Sequence, residues 1–279
     1  MIGLIDTGGG QRGTFGAGVL DWCSNNGIRF DHCVGVSAGA GNMVSYIAGQ
    51  PGRNLRFYLD YSLRSEYMSV RNYFKKKAYI DMDYVYSVIT NEDGEDPLDY
   101  DAFCANPCGF TVVATNADSG LPVYFDKADF ARSDYFPLKA SSCIPLLCKP
   151  EERDGIRYFD GGLSDPIPLK TALDAGCDKV VVILSRPRDF RRLAKSDAPF
   201  ARMLRRRFPK SANALQYRYK TYNTQMEDLT DAEKDGVALI LAPDTIGDLK
   251  TLSRDPATLQ KLYWKGYIEA DKIKEFIEN

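Results

Sequence analysis

Histidine is almost missing: His32 is the only one in 279 residues. A centre built from several histidines is excluded, and any chemistry that needs an imidazole has a single candidate. No apolar run approaches the roughly 18 residues that span a bilayer. The opening stretch, MIGLIDTGGG, has neither a basic leader nor a long apolar segment, so no signal peptide is expected. Cysteine comes as seven residues, an odd number without a secretion signal. That usage points to free thiols in a reducing compartment, with the cytoplasm as the expected location. Cys104 and Cys108 stand close together, but no second close cysteine pair accompanies them. Neither a metal nor a cofactor is expected.

What is present is ordinary in amount and uneven in distribution. The chain is 44% hydrophobic and 27% charged, enough for one large domain or two small ones around a sizeable core. The net charge is −2, yet residues 186–220 hold twelve Lys and Arg against only Asp189 and Asp197. That segment carries +10 and leaves −12 for the remainder. Phe190, Leu193, Phe200, Met203, Leu204 and Phe208 are interleaved with its arginines. Two readings stay open: a basic, partly apolar surface for an anionic membrane, or a solvated face neutralised by the acidic remainder. No recognition motif supports nucleic acid.

The order of elements predicts an α/β fold. The apolar run IGLID at 2–6 reads as a buried strand, followed by a glycine loop at 7–13 and a helix over 14–27 closed by Asn26-Gly27. DHCVGVS at 31–37 reads as a second strand, and 38–49 as a helix of small residues. This β-loop-α-β-turn-α unit implies parallel strands. Residues 53–90 read as helical and carry seven tyrosines. GFTVVATNA and LPVYF form a hairpin around Asp118-Ser119-Gly120. Further helices are expected near 128–142, at LKTALDAGC, over 211–235 and over 256–278. Strands are expected at IRYFD, at 179–185 and in VALIL. Residues 1–185 form the expected core, and 186–279 contribute the basic segment, helices and one strand to the same domain.

Two short stretches bear on chemistry. GVSAG at 35–39 fits a serine on a sharp strand-to-helix turn, where Gly35 and Gly39 must be small because backbone crowds the exposed hydroxyl of Ser37. The plainer reading is a serine that caps a helix. The loop DTGGGQRG at 6–13 follows the neighbouring strand. If the two strands are adjacent, the backbone N–H groups of Gly9 and Gly10 lie beside Ser37 and can form an oxyanion hole. A competing reading takes Gly8, Gly10 and Gly13 as a dinucleotide fingerprint. Asp31 lies roughly where a ribose partner is sought, but it precedes its strand instead of ending it.

His32 cannot be the base for Ser37. It starts the same strand five positions earlier, roughly 16 Å away at about 3.3 Å per residue. The remaining candidate is Asp160 in YFDGGLSDPIP, where Gly161 and Gly162 leave space around a carboxylate. An ordinary turn aspartate is the alternative.

The motifs GGGQRG, GVSAG and DGG occur in that order and together resemble the patatin-like phospholipase family. KASSCIPLLCKP at 139–150 resembles the stretch that family carries before its Asp-Gly motif. The resemblance runs over roughly 2–185. It implies a three-layer α/β/α fold with a central, mostly parallel sheet, and hydrolysis of acyl esters of lipids or phospholipids. It implies a Ser37–Asp160 dyad and an oxyanion hole from Gly8 to Gly10. Arg12 becomes a fixed positive charge near the loop, or a brace for its turn. Cys143 and Asp165 depart from the family pattern, where alanine and asparagine are usual. The alternatives are a dinucleotide-binding α/β protein and a non-catalytic lipid-binding module of the same fold.

Overall fold

The computed structural model describes residues 1–278. The first half of the chain supplies β1 (Ile2–Asp6), α1 (Thr14–Asn25), β2 (His32–Val36), α2 (Ala38–Ile47), α3 (Arg53–Leu59), α4 (Val70–Lys76), α5 (Tyr100–Ala105), β3 (Gly109–Asn116), β4 (Pro122–Phe125) and α6 (Phe136–Ser142). The second half supplies β5 (Glu151–Arg153), β6 (Ile156–Asp160), α7 (Leu169–Asp174), β7 (Lys179–Ile183), α8 (Ala198–Leu204), α9 (Pro209–Lys234), β8 (Ala238–Leu241), α10 (Pro256–Glu269) and α11 (Lys272–Glu278). The strands make one sheet in the order β5-β6-β3-β2-β1-β7-β8, with β4 paired to β3. β3, β2, β1, β7 and β8 are parallel, and β4, β5 and β6 run antiparallel to their partners.

Parallel strands need both faces covered, so most of their residues are apolar. Along β1, Leu4 enters one core and Ile5 the other. The same alternation divides Val181 from Val180 and Val182. On one face lie α1, α2, α5, α6, α10 and α11, which supply Phe15, Met43, Phe103, Leu138, Leu259 and Ile273. On the other lie α7 and α9, with Leu169, Ala172, Tyr222, Met226 and Leu229. The expected three-layer α/β/α architecture is what forms.

The structure departs from the sequence reading in several places: α5, α8 and β5 lie outside the expected elements, and the helix expected near 128–142 begins only at Phe136, as α6. Residues 53–90 hold only α3, a 3-10 helix at Tyr61–Leu63, α4 and one π-helix, Tyr84–Ile89, joined by turns. The final helix splits into α10 and α11 at Ala270-Asp271. The basic segment is a loop, then α8, then the first turns of α9. β8 extends the same sheet parallel to β7. α10 crosses α1 so closely that a methyl on Gly18 would stand 2.0 Å from the Tyr263 carbonyl, and one on Gly266 2.0 Å from that of Phe15.

Candidate active site

The register of β3 brings Ser37 to Asp160. Val112 and Val113 pair with β2 on one edge and with β4 on the other. Ala114 and Thr115 pair with β4 and with β6. β2 and β6 therefore follow one another along the same edge of β3. β2 ends at Val36 opposite Val113, and β6 ends at Asp160 opposite Ala114. Ser37 leaves β2 at the point where Asp160 arrives. Its Oγ donates to Asp160 Oδ2 at 2.5 Å.

The turn at Ser37 is strained. Its φ of 56° and ψ of −130° are outside the regions non-glycine residues favour, and such outliers persist where the surroundings over-determine them. The surroundings here are specific. The Ser37 N–H donates to Ser141 Oγ at 2.8 Å, and Ser141 Oγ donates to the Val113 carbonyl at 2.6 Å. Gly35 and Gly39 let the turn pack, since a methyl on either would strike Ala40 or the Asp6 carbonyl.

Asp160 is held from both sides. Its Oδ1 accepts from the Gly162 N–H at 2.8 Å, and its own N–H donates to the Cys143 carbonyl at 2.8 Å. A methyl on Gly161 would stand 2.1 Å from the Val113 carbonyl, so this turn lies flat on β3. Burial raises the Asp160 carboxyl above its ordinary range, against the lowering effect of the Ser37 hydroxyl, the Gly162 N–H and the charges of Arg218 and Arg192. Arg218 reaches toward the Gly162 carbonyl at 3.5 Å and bonds Asp197 through two nitrogens at 3.0 Å.

The glycine loop presses on the same turn. Gly8, Gly9 and Gly10 have φ of 61°, 124° and 61°, three successive left-handed positions that require glycine. A methyl on Gly8 would stand 2.2 Å from the Val36 carbonyl. The three N–H groups are not equivalent. That of Gly8 donates to Asp6 Oδ1 at 2.9 Å, and that of Gln11 to the Thr251 carbonyl at 2.9 Å. The N–H groups of Gly9 and Gly10 have no partner among the described residues. Asp6 is itself held by Asn42, and burial pushes its carboxyl up to about 6. Arg12 is buried, donates to Thr251 Oγ1 at 2.9 Å and leaves its Nε without a partner. Gly13 abuts Tyr58 and Ala38, and its carbonyl accepts from Asn42.

Beside Ser37 opens a cleft whose space for water centres is about 60 Å³. Gly10, Gln11 and Ala38 border it near the serine. Its walls include Phe57, Tyr58, Tyr61, Tyr67, Met68, Ile80, Met82 and Tyr86. Part of the tyrosine-rich stretch thus lines a cavity, whereas Tyr73 faces solvent. His32 is far from this centre. It bonds Thr111 at the opposite end of β2, at 2.9 Å, and burial lowers its pKa. Asp31 lies at that same end, accepting from the Ile2 N–H at 2.7 Å, away from the glycine loop at which a dinucleotide would be held. Cys104 is exposed on α5, while Cys108 lies 3.6 Å from Cys33. Asp165, where the resemblance expects asparagine, accepts from Tyr124 at 2.9 Å and from Gln225 at 2.6 Å.

Sequence reasoning missed Ser141, Asn42, Thr251 and Arg218. Ser141 lies within KASSC and could have been found there. Thr251 stands in a loop with no local signal.

Fold and site together describe an α/β protein with a serine on a strand-to-helix turn, packed against a glycine loop and bonded to an aspartate. The chain belongs to the patatin-like phospholipase family, whose family model matches residues 7–173. A second family model, a domain of unknown function (DUF6363), matches residues 208–279. The chain is 33% identical over 191 residues to the uncharacterized protein YjjU of Escherichia coli strain K12, covering 67% of this chain and 52% of YjjU. It is 30% identical over 77 residues to the uncharacterized NTE family protein Rv1063c of Mycobacterium tuberculosis strain H37Rv, covering 28% of this chain and 20% of that protein. The matches thus span about half the length of YjjU and a fifth of Rv1063c. VipD from Legionella pneumophila aligns with a TM-score of 0.50 at 15% identity, over 97% of this chain and 66% of that one, a likeness of fold alone.

Proposed function

We propose that the protein is a serine acyl-ester hydrolase that acts on acyl lipids through a Ser37–Asp160 dyad. The 2.5 Å hydrogen bond from Ser37 Oγ to Asp160 Oδ2 carries this reading. Asp160 takes the hydroxyl proton as Oγ attacks the acyl carbon. The carbonyl π pair moves to oxygen, where the N–H groups of Gly9 and Gly10 stabilise it. Each such donor is worth about 3–4 kcal/mol. The Gly8 N–H orders the loop through Asp6 instead. Collapse breaks the ester C–O bond, and the leaving alcohol takes the proton from Asp160. Water, deprotonated by Asp160, then attacks the acyl-enzyme, and Ser37 recovers its proton.

A preference for lipid draws on the family and on the apolar cavity beside Ser37. Seven cysteines, none paired among the described residues, fit a reducing compartment, the cytoplasm, with peripheral contact to membrane. No helix among the described residues is long and apolar enough to cross a membrane. Contact through 186–220 draws support from exposed Phe200 and Met203 on α8, beside Arg202, Arg205, Arg206 and Arg207. It draws none from Arg192 and Arg218, which turn inward to Asp197.

A fluorophosphonate probe and a short-chain p-nitrophenyl ester test the chemistry. Ser37→Ala and Asp160→Asn each abolish most turnover, Ser37→Ala abolishes labelling, and the double variant is little worse than either, because the pair acts as a unit. Full activity in a folded Asp160→Asn protein, with loss in His32→Gln, would sink the dyad.

A further inference from the structure

Residues 69–79 form a small excursion from the cavity wall. Its two ends are pinned together: the Ser69 N–H donates to the Tyr79 carbonyl at 3.1 Å, the Asp81 N–H donates to the Tyr67 carbonyl at 2.9 Å, and Met68 bridges Ile80. Tyr67, Met68 and Ile80 at this base line the cavity that holds Ser37. The excursion carries α4, capped by Ser69 and rooted by Asn72, its one buried residue. Val70, Tyr73 and Phe74 fall at helical spacing on one face. They are 63%, 52% and 72% exposed, and the two rings stack edge-on at 6.0 Å. Burial elsewhere in the chain does not explain them.

The charge within residues 69–80 has one sign. Residues 69–80 hold Arg71, Lys75, Lys76 and Lys77 and no acid, in a chain whose net charge is −2. Lys76 pairs with Asp81. Arg71, Lys75 and Lys77 have no acidic partner among the described residues. Apolar rings ringed by unpaired cations fit one kind of surface, an apolar layer beneath anionic head groups. A protein partner fits poorly. Three side chains on a short excursion fall well short of the roughly 800 Å² per side of a standard interface, whereas a bilayer accepts side chains singly.

We infer that α4 is the membrane-docking element, inserting Phe74, Tyr73 and Val70 below anionic phospholipid head groups so that the cavity mouth meets the lipid. This rests on the proposed action on acyl lipids and goes beyond it by naming the surface and the lipid charge. Docking beside the wall that Tyr67, Met68 and Ile80 form lets an acyl chain pass from the bilayer to Ser37 with little exposure to water.

Vesicle sedimentation of the full chain tests this in a Ser37→Ala background, where no hydrolysis intervenes. Phosphatidylcholine vesicles with and without phosphatidylglycerol are the probes. Binding is expected only to the anionic vesicles and weakens as salt rises, because screening acts over about 8 Å at physiological ionic strength. Phe74→Ser lowers the partition coefficient about tenfold. The triple change R71Q/K75Q/K77Q lowers it on the order of a hundredfold. The triple change R205Q/R206Q/R207Q has the smaller effect. Phe74→Trp, in a W264F background, is quenched by brominated lipid chains. All these sites are exposed, so unfolding midpoints stay with the parent. Unchanged binding by Phe74→Ser, absence of binding at low salt, or binding lost only with the 205–207 changes overturns the inference. Vesicle binding through α4 by a protein that turns over no ester fails the hydrolase reading alone. Ester turnover with equal binding to both vesicle types fails the docking element alone.

Discussion

At the scale of single residues, Asp160 works against its surroundings. A carboxylate that accepts from a hydroxyl and a backbone N–H is stabilised in its charged form, yet desolvation is the larger effect and the net shift is upward. A raised carboxyl is a stronger base once ionised, which is what direct proton transfer from a serine requires. The turnover of a soluble ester should fall at low pH with a one-proton slope, and its midpoint should stand above the ordinary aspartate value of about 3.9. Arg218 lowers the carboxyl from a distance, so Arg218→Gln should move the midpoint further up. A pH profile of kcat/KM for the two proteins checks both statements. A limb that ignores Arg218→Gln and shifts with Asp6→Asn would belong to the glycine loop instead, since Asp6 holds the Gly8 N–H and also titrates high.

At the scale of elements, the C-terminal third props up the N-terminal loop. Thr251 accepts from the Gln11 N–H and the Arg12 guanidinium, and a methyl on Gly10 would stand 2.5 Å from its carbonyl. That loop is tied to the sheet face through α10, which meets α1 backbone to backbone at Gly18 and Gly266. Gly266→Ala should push the helices apart and cost about 1–3 kcal/mol, the usual range for overpacking. Urea unfolding of the variant measures the cost. A change below about 0.5 kcal/mol would mean that α10 moves freely. Turnover should fall more than stability alone explains, because the glycine loop loses its prop.

How much of this was legible depended on distance along the chain. β1, β2 and their helices announce themselves by apolar runs ended by glycine, because the forces that fix them are local. Ser37, Asp160 and the glycine loop were legible as motifs for the same reason. The pairing of Ser37 with Asp160 was expected only through the family resemblance, because it depends on β2 and β6 sharing one edge of β3. The inequality of Gly8, Gly9 and Gly10 was not legible, since it rests on Asp6 and Thr251. Residues 53–90 read as helical, yet only short helices form there. The chain there turns to enclose a cavity, and tertiary contacts override local preference.

At the scale of the whole molecule, buried carboxyls set the response to pH. Burial raises Asp6 from 3.8 to about 6 and Glu151 from 4.5 to about 7, and it raises Asp21 and Asp160 as well. In each case the folded value exceeds the unfolded one, so the protonated form favours the fold. That contribution is fully present below about pH 4 and is lost as pH rises through the folded values, between about 4 and 7. His32 acts with the opposite sign, since burial lowers it, and its contribution is lost as pH falls below its unfolded value. One half-buried imidazole opposes three buried carboxyls and the half-buried Glu151, so the carboxyls dominate. Asp6 and Glu151 each account for no more than about 3–3.5 kcal/mol. The unfolding free energy from urea titrations should therefore fall by a few kcal/mol between pH 5 and pH 8, where many proteins are flat or at their maximum. Glu151→Gln keeps the shape of the side chain and removes its titration, so it should flatten the upper part of that fall. A wild-type curve that is level or rises over this range would mean that these carboxyls are hydrated in solution, and that the cores around Asp6 and Glu151 open to water.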